Sequence, residues 1–229
     1  MNYKIAIDGP SSSGKSTVAK LLAKKLSFVY VDTGAMYRAM GLYFIINKIS
    51  CDDEGNIEKS LQDINIDIKY VNGEQQIYLN SENVTDLIRT DLVSKYASVS
   101  SAYLKVREKL VAIQRELGQK NNVIMDGRDI GTVVLPDATL KIYLTASQEE
   151  RVERRYKELK QKDSSILKED VERGMIERDY RDTHRENSPL KKAEDAIVVD
   201  TTKLSIEEVV DVILKLFIEK RGNYNEKIK

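Results

Sequence analysis

An α/β architecture, with a parallel sheet carrying helices on both faces, is what this sequence predicts, and three observations predict it. Apolar strand-like runs alternate with segments of helical periodicity along most of the chain, the signature of β-α-β units wound into a parallel sheet. The first such run, Ile5-Ala6-Ile7, leads through a Gly- and Ser-rich turn straight into a helical pattern. Between residues 60 and 83 the period switches to two, which marks a small antiparallel β subdomain inserted into the α/β chain. The 229 residues make one ordinary domain with room for a sizeable core.

In order, the pattern predicts a strand at 3–8, a helix at 15–26, a strand at 28–31 and a helix at 34–48. Ile64, Ile66, Ile68 and Tyr70 then alternate with Asn65, Asp67 and Lys69. Val71-Asn72-Gly73-Glu74 supplies turn chemistry before Ile77-Tyr78-Leu79, so this segment is a hairpin with one wet face. Helices follow at 85–99 and 102–117, the second closed by Gly118 as a C-cap. Strands come next at 122–125 and 140–144. Ser147 with Glu150 forms a capping box for a helix to about 159. The polar turn 161–165 precedes a long helix over 166–186, which ends before Pro189. A last strand at 196–200 leads to a second capping box, Ser205 with Glu208. It opens an amphipathic helix marked by Val209, Val210, Ile213 and Phe217, and the last dozen residues look frayed.

Composition excludes several classes of function. Hydrophobic residues are 41% and charged residues 32%, so the chain is globular and charge-rich. Its 37 basic and 37 acidic side chains cancel, which argues against generic nucleic-acid binding; an anion site must come from local clustering. The longest apolar run, near 42–46, is far too short to span a bilayer. With a strand expected so close to Met1, no signal or transit peptide is expected. A lone cysteine, Cys51, cannot form an internal disulfide, so a reducing cytoplasm is the expected location.

The chemistry starts at Gly9-Pro10-Ser11-Ser12-Ser13-Gly14-Lys15-Ser16-Thr17. This is G-x-x-x-x-G-K-S between a strand and a helix, the P-loop context in which backbone N–H groups cradle a triphosphate. Lys15 is placed to reach the β- and γ-phosphates, and the Ser16 hydroxyl to ligate Mg²⁺. ATP and Mg²⁺ are therefore the expected donor and cation. In a parallel sheet the ligand lies beyond the carboxyl ends of the strands. Asp32-Thr33-Gly34 and Asp126-Gly127-Arg128-Asp129 end two of those strands. Asp32 and Asp126 are candidates for the water shell of Mg²⁺, though Asp32 equally suits a helix N-cap, and both roles can hold together.

Arginines form the second signal. Arg38 lies one turn beyond Gly34, and Arg128 sits on a strand-end loop. Arg178, Asp182 and Arg185 fall at i, i+4 and i+7 on one helix face, with Arg181 pointing aside. Solvated ion pairs would explain such a helix elsewhere, but a bound phosphate calls for arginine forks. Arg151, Arg154 and Arg155 precede the polar 161–165 turn. They form either a lid over 151–165 that stabilises the transferring phosphoryl or a basic face paired with Glu149, Glu150, Glu153 and Glu158. His184, the only histidine, lies among charges and suits no general base. A guanine-binding Asn-Lys-x-Asp motif is absent, since Asn47-Lys48 is followed by Ile49-Ser50, which speaks against a nucleotide switch.

These segments closely resemble the bacterial cytidylate kinases, a nucleoside monophosphate kinase family. The carrying runs are Ile7-Asp8-Gly9-Pro10 with the phosphate loop, Asp32-Thr33-Gly34-Ala35-Met36-Tyr37-Arg38, and Val106-Arg107-Glu108. To them belong Asp126-Gly127-Arg128-Asp129-Ile130-Gly131-Thr132-Val133-Val134, Pro136-Asp137-Ala138, and the run from Glu177 to Arg185. The resemblance spans about 3–215, and the inserted sheet is a further mark of the bacterial type. It implies transfer of the γ-phosphoryl of ATP to CMP or dCMP with Mg²⁺, in a chain that is often monomeric. Thr33, Arg38 and Arg128 would hold the acceptor near its phosphate. Ser98, Arg107 and Asp129 would read the cytosine, and Arg178, Asp182 and Arg185 would meet the pentose and phosphate. Two positions depart from other members: some have Gly for Ser16, and others have Ser for Thr33.

Overall fold

The structure, a computed structural model, describes residues 2–161 and 163–226, with backbone alone for 223–226. Five parallel strands form its spine: β1 (Lys4–Asp8), β2 (Val29–Asp32), β6 (Val123–Gly127), β7 (Leu140–Thr145) and β8 (Ile197–Asp200). Their order across the sheet is β2-β6-β1-β7-β8, so the P-loop strand β1 is central and β2 is an edge. Lys4 pairs with Val123 and Ile5 with Leu140, which brings Asp8 level with Gly127 and Tyr143 at the carboxyl end.

Strand side chains alternate between two cores, as the pleat requires. Ile5, Ile7, Ile124, Ile142 and Leu144 pack under α1 (Lys15–Leu26) and α8 (Ile206–Glu226). Ala6, Val31, Val123 and Met125 face α2 (Thr33–Ile46) and α5 (Leu104–Lys120) on the other side. Each strand is apolar on both faces because helices cover both.

The insert is present and larger than its pattern announced. A short helix α3 (Glu54–Ser60) and a 3₁₀ turn over Leu61–Asp63 precede the hairpin β3 (Ile66–Val71) and β4 (Glu74–Leu79), and β5 (Glu82–Asn83) adds a third strand. Asn72 and Gly73, at φ 54° and 79°, form its two-residue turn. Neither α3 nor β5 is apolar-periodic enough to be read beforehand. The helix expected over 85–99 starts only with α4 (Asp91–Ser100), where Thr90 Oγ1 accepts the Val93 amide at 3.2 Å. Val84 and Ile88 mimic helical spacing, but they are buried in a non-helical turn.

Gly118 is likewise no C-cap. The helix α5 runs on to Lys120, and a Cβ on Gly118 would stand 2.9 Å from Leu135 Cδ2, so this glycine permits close packing. α6 (Gln148–Lys160) and α7 (Lys168–His184) share a small core of Val152, Val171 and Met175. In the 161–165 turn Asp163 accepts from Ser165, and Lys162 lies outside the described residues. Where the chain end looked frayed, α8 is helical to Glu226; 227–229 lie outside the described residues.

Candidate active site

The phosphate loop leaves β1 at Gly9, whose φ of 152° and close approach exclude any side chain: a Cβ would lie 2.0 Å from the Leu144 carbonyl oxygen. Gly14, left-handed at φ 92°, caps α1. Lys15 is buried and donates from Nζ to the Pro10 carbonyl at 2.5 Å and Ser13 Oγ at 3.2 Å. Burial, then the charge of Arg128, holds its ammonium well below the usual lysine range. Ser16 Oγ donates to Asp126 Oδ2 at 2.8 Å, and the Tyr30 hydroxyl donates to Asp126 Oδ1 at 2.8 Å. Burial first, and then the Asp32 charge, raise the Asp126 carboxyl to about 6.

Three further groups brace this loop. The Ser11 amide and Oγ both donate to Asp179 Oδ1, at 3.2 and 2.9 Å. Arg151 joins Asp179 Oδ2 at 2.5 Å and the Ser11 carbonyl at 3.1 Å. Thr201 Oγ1 donates to the Ser13 carbonyl at 3.3 Å, while Arg154 donates to Thr201 Oγ1 and carbonyl at 3.0 and 2.9 Å. Arg151 thus clasps the loop directly, so the glutamate-paired alternative fails for it, while Arg154 braces the loop through Thr201 and also makes the pairing with Glu150, at 2.9 Å, that the alternative named. Arg155 instead pairs with Asp91 at 3.1 Å and Glu158 at 3.0 Å.

Beyond the loop lies a basin of ion pairs. Thr33 Oγ1 donates to the Asp126 carbonyl at 2.7 Å. Asp32 accepts the Ala35 amide at 2.9 Å as N-cap of α2 and pairs with Arg38 at 3.0 Å. Arg128 Nε meets Asp182 Oδ2 at 2.7 Å. Although burial opposes it, Arg128 and Arg178 hold the Asp182 carboxyl below the usual range. Arg178 Nε is buried with no hydrogen-bond partner. Burial, and next the Arg128 charge, bring its guanidinium down to about 10.

Arg107 and Asp129 form a buried ion pair, and Arg107 Nη1 also donates to the Ser101 carbonyl at 3.0 Å. Arg185 is the C-cap of α7, off its last turn, yet it turns inward to Ser101 Oγ at 3.2 Å and Asp129 Oδ1 at 3.7 Å. Arg181, set aside on spacing, donates to Ser98 Oγ at 3.4 Å. The Tyr37 ring lies 5.6 Å from the Arg107 guanidinium, and burial pushes its partnerless hydroxyl up to about 12. His184 stacks on exposed Tyr180 with centroids 4.0 Å apart, outside this basin.

Asp8 is the residue spacing did not mark as a clasp. Its carboxylate accepts the amides of Ile130 at 2.8 Å and Gly131 at 2.7 Å, joining the donor strand to the turn that carries Asp129. Burial, chiefly, raises it to about 6 despite those bonds. The turn at Ile130–Val134 is a single wide helical turn, with the Leu135 amide bonded to the Ile130 carbonyl. Spacing did not mark Asp179 or Thr201 either. Thr201 follows β8, so the rule that sites gather at strand ends would have marked it. Asp179 needed the docking of α7.

No group of three or more His, Cys, Asp and Glu side chains with metal-site geometry occurs among the described residues. Mg²⁺ takes one or two protein oxygens besides waters and phosphates, and the bonded Ser16 hydroxyl and Asp126 carboxylate are such a set. No helix among the described residues is long and apolar enough to cross a membrane.

Two solved structures share the fold. One is an uncharacterised protein from Eubacterium ventriosum, with TM-score 0.53, 13% identity, and 94% of this chain and 98% of that chain covered. The other is a gluconokinase from Sinorhizobium meliloti, with TM-score 0.51, 12% identity, and 98% and 97% covered. Sequence relatives are much nearer. A cytidylate kinase of Carboxydothermus hydrogenoformans is 53% identical over 219 residues, covering 95% of this chain and 98% of the relative. Those of Caldicellulosiruptor saccharolyticus and Thermotoga maritima are 51% and 50% identical, with 96% of this chain covered by each and 97% and 99% of the relatives. The family model for cytidylate kinase matches residues 5–219. With its parallel P-loop sheet and a match over nearly its whole length, this chain belongs to the cytidylate kinase family of phosphotransferases.

Proposed function

We propose that the protein phosphorylates CMP and dCMP with ATP and Mg²⁺, giving CDP and dCDP. The observation that carries this reading is the crowding of three cations, the buried Lys15 with the half-buried Arg128 and Arg178, where desolvation and then the Arg128 charge lower the protonation of both Lys15 and Arg178. Desolvation works against the Arg128 charge, but Asp182, by charge and hydrogen bond, together with Asp179 and Asp126 outweighs it and raises the guanidinium. Two polyanions meeting at this point would supply the compensation.

The single domain then divides by role. Gly9 to Thr17 hold the ATP phosphates with main-chain amides and Lys15. Ser16, with Asp126 and Asp32 through water, would hold Mg²⁺, whose chemistry when bound is to neutralise charge on the transferring phosphate. Thr33, Arg38, Arg128, Arg178, Asp182 and Arg185 hold the acceptor's phosphate and pentose. Ser98, Arg107 and Asp129 read its base: cytosine presents an N4 amino donor that a carboxylate accepts, whereas uracil presents an acceptor. A buried acceptor left facing an acceptor discriminates strongly. The 60–83 insert lies on the acceptor side, and 151–165 forms the lid.

The acceptor oxygen attacks the γ-phosphorus in line, and the bond to the departing ADP oxygen breaks. The attacking oxygen belongs to the acceptor's phosphate and is already anionic, so no side chain need remove a proton, and the departing ADP oxygen takes up the negative charge. Lys15, Arg128 and the lid arginines Arg151, Arg154 and Arg155 stabilise the charge on the transferring group. A coupled assay of ADP release with CMP, dCMP, UMP and AMP tests the proposal. Fast release with CMP and dCMP is expected; release only with UMP or AMP overturns the substrate, and release with none overturns the reaction.

A further inference from the structure

The sheet has an edge problem at β2. Because the Val29 amide donates to Asn122 on the β6 side at 2.9 Å, Val29 and Val31 turn their main-chain groups to β6. Tyr30 and Asp32 therefore turn theirs outward, away from any strand. Open edge groups of this kind invite foreign pairing and leave the strand free to breathe.

The hairpin closes that edge with side chains. The Gln75 carboxamide bonds both main-chain groups of Asp32: Oε1 accepts its amide at 2.7 Å, and Nε2 donates to its carbonyl at 3.4 Å. This is the exchange a neighbouring antiparallel residue would make, performed by one side-chain amide. Two residues back, the Tyr70 hydroxyl donates to the Tyr30 carbonyl at 2.8 Å. Tyr70 and Gln75 face each other across the hairpin as register partners, so a single rung supplies both groups. The Tyr70 residue is 38% exposed, which makes its hydroxyl bond, and not core packing, the reason for its position.

What this rung holds is functional by position. Asp32 caps α2 and pairs with Arg38, and Tyr30 reaches Asp126 with its own hydroxyl. We infer that Gln75 and Tyr70 are positioning residues, a side-chain substitute for a missing strand that fixes the end of β2 and, through the Asp32–Arg38 ion pair, holds Arg38 in place for the acceptor nucleotide. The inference rests on the proposed function for its substrate, while the clamp itself stands on geometry. The insert thereby acquires a role in the site, because the acceptor half is tied to a subdomain separate from the one that carries the donor loop.

The test uses the full chain with Gln75→Met, Gln75→Ala and Tyr70→Phe. Methionine keeps the length and apolar contact of glutamine but neither hydrogen bond. In Gln75→Met, hydrogen-exchange protection of the Asp32 amide is expected to fall about tenfold, and KM for CMP to rise about three- to tenfold, with KM for ATP within about twofold. Tyr70→Phe is expected to shift the same readouts by less. Wild-type Asp32 protection in Gln75→Met, or equal rises of both KM values, overturns the inference. Exchange needs no turnover, so a failure of CMP as substrate and a failure of the clamp give separate signatures.

Discussion

The two halves of the site are built on different principles. The proposed donor cradle is one contiguous stretch, Gly9 to Thr17, in which a phosphate loop works mostly through main-chain amides. The proposed acceptor basin draws Thr33, Arg38, Ser98, Arg107, Arg128, Asp129, Arg178, Asp182 and Arg185 from separated segments, and side-chain ion pairs engage six of these nine, Arg38, Arg107, Arg128, Asp129, Asp182 and Arg185. A main-chain cradle tolerates side-chain change around it, provided the glycines remain. Buried charge pairs do not, because removing one partner strands the other. The acceptor half therefore couples recognition to stability, and the donor half largely separates them.

The most direct way to break this comparison is to remove one charge from each half. Asp129→Ala leaves Arg107 buried and unpaired, so it is expected to cost about 3–5 kcal/mol of stability. The apolar double replacement Arg107→Met with Asp129→Leu should return most of that loss in urea unfolding, without returning CMP turnover. Full stability in Asp129→Ala would show that the pair carries no structural load. Lys15→Met is the counterpart on the donor side. Turnover is expected to fall by a factor of ~10² or more, with stability unchanged or raised, since a buried ammonium is removed. Arg128→Ala should lower turnover comparably and destabilise as well, because it strands Asp182.

Acidity sharpens the comparison at the seam between the halves. Asp8 and Asp126 ordinarily titrate at 3.8, and the fold raises both to about 6. Between those values the folded protein holds protons that the unfolded chain has released, so stability falls as pH rises from about 4 to about 6 and levels off above. A shift of about two units corresponds to roughly 3 kcal/mol per group. Denaturant midpoints across that range should therefore decline, and Asp8→Asn should flatten the decline. A rise over the same range would contradict the assignment. The smallest effect is expected at Arg155, whose partner Asp91 is 72% exposed. Arg155→Ala should change stability by at most about 1 kcal/mol, and a larger loss in thermal unfolding would mean that this pair holds the lid.

Much of this could be read from residues alone, and the failures are instructive. The capping box at Ser205 and the strand–loop–helix at β1 depend on local chemistry and form as expected, whereas at Ser147 only half of the box forms: its hydroxyl accepts from the Glu150 amide at 3.3 Å, but its own amide donates to Thr202 Oγ1. Glu150, by contrast, spends its carboxylate on Arg154, since a nearby cation outcompetes the box. Gly118 looked like a terminator because glycine usually ends helices, but here it makes room for Leu135. Val84 and Ile88 carry helical spacing and are buried in a turn, since burial against a core satisfies them equally well in either backbone.

What the sequence determined unaided was the order of the parallel sheet's strands and their main helices and the phosphate loop, because capping, periodicity and phosphate-loop geometry act within a few residues. The tertiary structure decided which distant groups share a bond. It joined Asp8 to Ile130 and Gly131, Asp179 to Ser11, and Gln75 to Asp32. Such pairings have no local signature, since a carboxylate or carboxamide carries the same chemistry wherever it lies in the chain. Only the winding of the sheet brings Gln75 to the open edge of β2 and Asp8 beneath the Asp129 turn, and that winding is set by burial of apolar surface summed over the whole molecule.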